Sequence, residues 1–316
     1  MIKNILIVGV GSIAKEYIKI VQDLGHDLTI VGRSEKNVQK FNNLKLGENA
    51  HSGGVDKFLK KNQRKIDCAI VAVGISSLAD VAKTLLENEI QKILVEKPGF
   101  NSEYELDDIV ELANKKKAKV LIAYNRRFFS SVNKAIEIIK QDGGVSSFNF
   151  EFTEWGCQVG NLGYPEEIMS NWFMANSSHV VDLAFYIGGQ PKEMNSYAKD
   201  GFKWHSPINF VGSGISVNGA LFCYKANWNA PGRWGLEFLT KNYRLILKPM
   251  ERLQIQQKNS LKIDFCNDVD YNLDNDYKPG FYNQTKSFIM GKYEKFCSIT
   301  DQKNNYMNIY NKILNY

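Results

Sequence analysis

A lysine between an acid and a proline, Glu96-Lys97-Pro98, ends the apolar run Ile93-Leu94-Val95. At the carboxyl end of a parallel strand, its ammonium would stand where open α/β sheets bind ligands. There it could hydrogen-bond a hydroxyl and move that proton as the attached carbon is oxidised or reduced. Pro98 biases Lys97 to an extended backbone. A charged strand end is ordinary by itself, so the lysine needs company.

Company comes first from Gly9-Val10-Gly11-Ser12-Ile13-Ala14, which follows the apolar run Ile5–Val8 and opens a helix-like stretch. Gly9 permits a tight turn, Gly11 lets the backbone approach a pyrophosphate, and Ala14 lets helix pack on strand. The N–H groups at the helix start, around Ser12 and Ile13, would face the phosphates. The second apolar run ends in Gly32-Arg33-Ser34, where a NAD site usually carries Asp or Glu for the ribose 2′-OH. Arg33 could pair with a 2′-phosphate and Ser34 could donate to it, which favours NADP over NAD. Otherwise Arg33 is a solvated strand end. His179 is a lone helix histidine whose meaning depends on its neighbours. His26, His51 and His205 have no partners at metal-ligand spacing, so no metal is expected.

The elements that would carry these residues alternate up to about residue 123. Runs at Ile5–Val8, Leu28–Val31, Cys68–Val73, Ile93–Val95 and Val120–Ala123 are short and continuous, as in parallel strands buried on both faces. Helix-like stretches Ile13–Leu24, Leu78–Leu86 and Leu106–Ala113 separate them. That alternation predicts a doubly wound parallel sheet over residues 1–123. Beyond Tyr124, helix-like Val132–Lys140 ends at Asp142-Gly143-Gly144. Strand-like segments follow at Ser147–Thr153, Gly219–Asn227, Trp234–Thr240, Arg244–Leu247 and Arg252–Gln256. A helix over about Asn176–Ile187 interrupts them, and helical stretches over Phe281–Met290 and Tyr306–Leu314 close the chain. The class is α/β overall: a dinucleotide-binding Rossmann domain over 1–123, then an α+β domain over 124–316 with an open, mostly antiparallel sheet.

Composition narrows the partners. The chain has 316 residues and a formal charge of +6. There are 19 basic and 16 acidic residues up to position 124, and 21 and 18 beyond it. A nucleic-acid binder concentrates its charge on one module, so that partner is disfavoured. No run of about 18 apolar residues suggests a membrane span. The chain starts directly on an apolar strand, which leaves no room for a secretory leader. Its five scattered cysteines form no CxxC pair, which fits a reducing cytoplasm.

The order GxGxxA, Glu96-Lys97-Pro98 and Ala123-Tyr124-Asn125-Arg126-Arg127-Phe128 resembles the Gfo/Idh/MocA family of NAD(P)-dependent oxidoreductases. Ser178-His179-Val180-Val181-Asp182, Gly188-Gly189-Gln190-Pro191 and Trp234-Gly235-Leu236-Glu237 extend the resemblance over nearly the whole chain. It implies hydride transfer between a nicotinamide and a sugar, cyclitol or related compound. Lys97 would bridge cofactor and substrate and stabilise the reacting oxygen, with His179 as acid–base partner. Gly9, Gly11, Ser12, Ile13, Arg33, Ser34, Val73, Gly74, Glu96 and Lys97 would hold the cofactor. Tyr124, Arg126, Asn176 and Arg233 would join Lys97 and His179 around the substrate.

Two departures stand out. Many members carry an Asp four residues before the histidine, where this chain has Ala175; Asp182, three residues after it, could touch His179 or be structural. The loop Val73-Gly74-Ile75-Ser76 lacks the family's Thr-Pro-Asn, although backbone contacts could survive. Arg126, Arg127 and Arg233 could meet an anionic group or form structural ion pairs, and the loop Trp228–Trp234 could be a sugar platform or a hairpin turn with buried tryptophans. A nucleotide-linked sugar for surface-polysaccharide synthesis is preferred on those arginines alone, ahead of a free sugar. Two other readings stay open: a redox-neutral nicotinamide-dependent enzyme, and a dinucleotide-binding sensor without catalysis. The open sheet face suggests a homodimer or homotetramer.

Overall fold

The computed structural model describes residues 2–47 and 49–315. The chain divides into two compact units, one of residues 1–125 and 281–303, the other of residues 126–280 and 304–316. The second domain is therefore not the contiguous span 124–316. Residues 281–303 return to the first unit because their apolar side chains are buried there. Phe281 meets the Tyr17 ring at 5.0 Å, and Phe288 and Ile289 are almost fully buried. A helical pattern in sequence shows that a face must be covered, but not which layer covers it.

The first unit is built on five parallel strands: β1 (Asn4–Val8), β2 (Asp27–Val31), β3 (Cys68–Val71), β4 (Lys92–Val95) and β5 (Lys119–Ile122). Their order is β5-β4-β3-β1-β2, and the short strand Cys297–Ser298 adds antiparallel to β5. Ile5, Leu6, Ile7, Ile70, Val71, Ile93 and Leu94 have no exposed surface, which is why these strands are apolar without alternation. β1 lies between β2 and β3, so the winding reverses there and a crevice opens beyond its carboxyl end. Helix Glu103–Lys116 begins with a capping box, Ser102 and Glu105 each bonding the other's backbone N–H. Helix Glu35–Asn42, absent from the sequence reading, is capped by Ser34.

The second unit holds β6 (Ser147–Glu151), β7 (Pro191–Lys199), β8 (Asn209–Ser216), β9 (Leu221–Asn227), β10 (Gly235–Leu239), β11 (Tyr243–Leu247), β12 (Gln254–Gln257) and β13 (Ile263–Phe265). They form one sheet, β13-β12-β11-β10-β6-β9-β8-β7, antiparallel except at β6/β9. Helix Ser178–Gly188 packs on β6 and β10, and its Phe185 lies edge-on to Phe148 of β6 and Phe222 of β9. β7, β8 and β13 had no apolar signature. β7 is largely polar, and β8 carries Gly212 and Gly214, whose missing side chains make room for the Tyr224 ring and the Glu193 carbonyl. Among the described residues, no helix is long and apolar enough to cross a membrane.

Candidate active site

Gly9 follows β1 with φ +133°, and a Cβ there would overlap the carbonyl oxygen of Ala72, just past β3. It is glycine because two strand ends converge at the switch point. Gly11 differs. Its φ is −80° and a Cβ would meet nothing within 4 Å, so neither backbone nor packing requires glycine. Only a group approaching from outside would, and the amino end of helix Ser12–Asp23 offers such a group backbone N–H donors with no side-chain cap in competition. Ser12 is exposed and Ile13 half-buried there, while Ala14 is fully buried against the sheet. The cradle fits a dinucleotide pyrophosphate.

Along the same edge, Arg33 is exposed and has no carboxylate partner among the described residues. The Ser34 hydroxyl accepts from Asn37 N–H at 3.4 Å, which leaves its own proton to donate outward. Val73 is half-buried and Gly74 exposed, with open space where a Cβ would stand, just before the turn Ile75–Ser77.

Lys97 is half-buried two residues past β4, and its peptide bond to Pro98 is cis. Both neighbours are held. Before it, the Glu96 carboxylate accepts from the Tyr17 hydroxyl at 2.7 Å, and Glu96 N–H donates to Val71 at 2.9 Å. Burial, with the Glu96 charge beside it, holds the Tyr17 hydroxyl well above its usual pKa, so it stays a donor. After it, Gln302 donates to the Pro98 carbonyl at 3.0 Å and to the Tyr124 hydroxyl at 2.9 Å. Tyr124, a candidate for substrate contact, is 1% exposed with its hydroxyl engaged by Gln302. Its visible part is to hold the segment after Lys97. Tyr17 and Gln302 had no motif to mark them; Tyr17 only shared the buried face of its helix.

In the second unit, His179 is buried in the first turn of helix Ser178–Gly188. The residues before it, Phe173–Ser177, wind as a π-turn, so the one-turn spacing that would set residue 175 beneath His179 is stretched. Asp182 is committed to structure. Arg127 binds it with two hydrogen bonds, Nε at 2.8 Å and Nη2 at 2.6 Å, and lies 4.3 Å over the Tyr186 ring. Burial raises the Asp182 carboxyl and the guanidinium pulls it back down.

Sequence reasoning missed Glu154. It is 1% exposed, shortly after β6, and gathers two of the candidates. Its Oε1 accepts from Asn176 Nδ2 at 2.9 Å and from the Ser177 hydroxyl at 2.8 Å, and its Oε2 pairs with Arg233 Nη1 at 3.1 Å. Arg126 and Arg233 share a ring, lying 4.8 and 4.5 Å from the Trp234 centroid, and Arg233 also lies 4.9 Å over Trp155. Asn176, Arg126 and Arg233 thus form one wall. Two of the three arginines that suggested an anionic substrate are matched by buried carboxylates, Arg127 by Asp182 and Arg233 by Glu154. That removes much of the ground for a nucleotide-linked sugar.

Residues 3–124 match an oxidoreductase family described by its NAD-binding Rossmann fold. That description is of the Gfo/Idh/MocA family, and the match covers this first domain. Solved structures share the fold of the whole chain. An oxidoreductase from Agrobacterium radiobacter, solved with NAD+, L-tartaric acid and magnesium, superposes with a TM-score of 0.79 at 13% identity, covering 100% of this chain and 97% of that one. Levoglucosan dehydrogenase with NADH and levoglucosan gives 0.77 at 15%, with the same coverage. UDP-N-acetylglucosamine 3-dehydrogenase from Acidithiobacillus ferrooxidans gives 0.76 at 13%, covering 100% and 99%. No curated protein matches the chain in sequence.

Proposed function

We propose that this chain is an oxidoreductase of the Gfo/Idh/MocA family that moves hydride between a nicotinamide and a hydroxyl- or carbonyl-bearing carbon of a sugar or sugar derivative. The observation that carries the reading is Lys97, held on both flanks at the carboxyl end of β4, in a sheet whose β1 turn is open to a pyrophosphate. Gly9, Gly11, Ser12, Ile13, Val73, Gly74 and Glu96 would hold the dinucleotide. When bound, its nicotinamide supplies or takes up the hydride. The Lys97 ammonium donates to the reacting oxygen and stabilises its developing charge. With His179 it shares the handling of that oxygen's proton. The carbohydrate class is further supported by the fold shared with levoglucosan dehydrogenase and UDP-N-acetylglucosamine 3-dehydrogenase.

NADP is the preferred cofactor, because Arg33 offers a guanidinium where a NAD site would present a carboxylate. Absorbance of the reduced nicotinamide, followed across free and nucleotide-linked sugars with each cofactor, tests both statements. The expected result is turnover of a sugar, faster at low NADP than at low NAD. Arg33→Ala should weaken NADP about 10-fold or more while barely changing NAD, since a charge-assisted hydrogen bond contributes roughly 1.5–3 kcal/mol. Equal affinities for the two cofactors in the unaltered protein would reject the NADP preference. Cofactor binding without hydride transfer to any sugar would reject the activity.

A further inference from the structure

We propose that Glu154 is a specificity-determining residue. Its buried carboxylate neutralises Arg233 and fixes Asn176, so that this wall takes an uncharged, polyhydroxylated ring and turns away a phosphate-bearing one. The inference rests on the oxidoreductase reading above, and concerns which substrate that reaction accepts.

The geometry of the donors carries it. Burial raises the Glu154 carboxyl, and the groups on its oxygens, a hydroxyl, a guanidinium and an amide N–H, act against that rise and stabilise the ionised form. Arg233 turns one nitrogen inward to Glu154 while its side chain stays 44% exposed, so its other N–H groups face outward from a charge already balanced. Asn176 gives its amide hydrogen to the same carboxylate. Its Oδ1 accepts no hydrogen bond among the described residues, which leaves it as an acceptor. One carboxylate therefore sets a donor and an open acceptor beside each other.

A sugar hydroxyl both donates and accepts, so neighbouring hydroxyls match that pair. A phosphate only accepts. It gains nothing from Asn176 Oδ1 and meets the Glu154 charge behind Arg233. The indole of Trp155, half exposed and fixed by its Nε1 bond to the Gly232 carbonyl at 3.0 Å, supplies an apolar face for ring C–H groups. Discrimination of this kind works through a repulsive element as much as an attractive one.

The test titrates the NADPH-saturated protein with UDP-N-acetylglucosamine, followed by indole fluorescence. Glu154→Gln, which keeps the side-chain shape and removes its charge, should bind this probe at least 10-fold more tightly than the unaltered protein. Adding Arg233→Met should abolish that gain. Unchanged affinity in Glu154→Gln, or a gain that persists without Arg233, overturns the proposal. Should Glu154→Gln fail to fold, Arg233→Met alone decides. Its affinity for UDP-N-acetylglucosamine should stay within about 3-fold of the unaltered protein, and a 10-fold loss overturns the proposal. NADPH binding is followed separately by nicotinamide fluorescence. Its failure would count against the oxidoreductase reading, so the two failures stay apart.

Discussion

Gly9 and Gly11 stand two residues apart in one turn, and their substitutions should fail in different ways. Gly9→Ala forces a Cβ onto the Ala72 carbonyl at a φ of +133°, so it should lower thermal stability sharply or prevent folding. Gly11→Ala meets open space at a φ of −80°, so the protein should melt normally. It should nevertheless bind the dinucleotide at least 10-fold more weakly, because the added methyl occupies the approach to the helix N-terminus. Melting curves and NADPH titrations of both variants check this pair. A cofactor-competent Gly11→Ala would show that the pyrophosphate lies elsewhere. The roles proposed for Arg33 and Glu154 belong to the same scale, each resting on one charge.

At the scale of elements, the main concern is how the histidine helix is introduced. The hairpin bridge Phe202–His205 ties back to the segment before that helix. His205 Nδ1 lies 2.7 Å from the Ser170 carbonyl, and its ring stacks on Trp228 at 4.7 Å. Burial lowers the His205 pKa to about 4, against the smaller upward pull of the Ser170 and Met169 carbonyls. The folded state therefore holds His205 neutral, while the unfolded chain takes up its proton near the ordinary value of 6.5. Between those values the unfolded state binds more protons. This contribution is thus intact above about pH 6.5 and is lost as pH falls towards 4, by about 3 kcal/mol in all. Urea melts from pH 7 to 4 should show that loss, and His205→Gln should flatten it. An unaltered slope in the variant would mean that His205 is not held neutral.

At the scale of the molecule, the first unit was legible because its physics is local. Buried parallel strands are continuous apolar runs, and a phosphate turn needs glycine at fixed positions. β7 and β8 were hidden because polar residues and Gly212 and Gly214 fill strands whose pairing is set by Tyr224 and Glu193 across the sheet. Motif alone proposed Lys97 and His179. Glu154, Tyr17 and Gln302 were not proposed, because each acts through partners 22 to 204 positions away in sequence. The return of Phe281–Lys303 to the first unit hid Gln302 in the same way.

The central claim is that Lys97 handles the proton of the oxygen whose carbon exchanges hydride. Its most direct measurement is the rate of nicotinamide absorbance change in Lys97→Ala against the unaltered protein, on the sugar that the unaltered protein turns over best. NADPH binding is checked in both. The account predicts a rate lower by about 10²–10⁴-fold with cofactor affinity retained. An unchanged turnover in Lys97→Ala would contradict it.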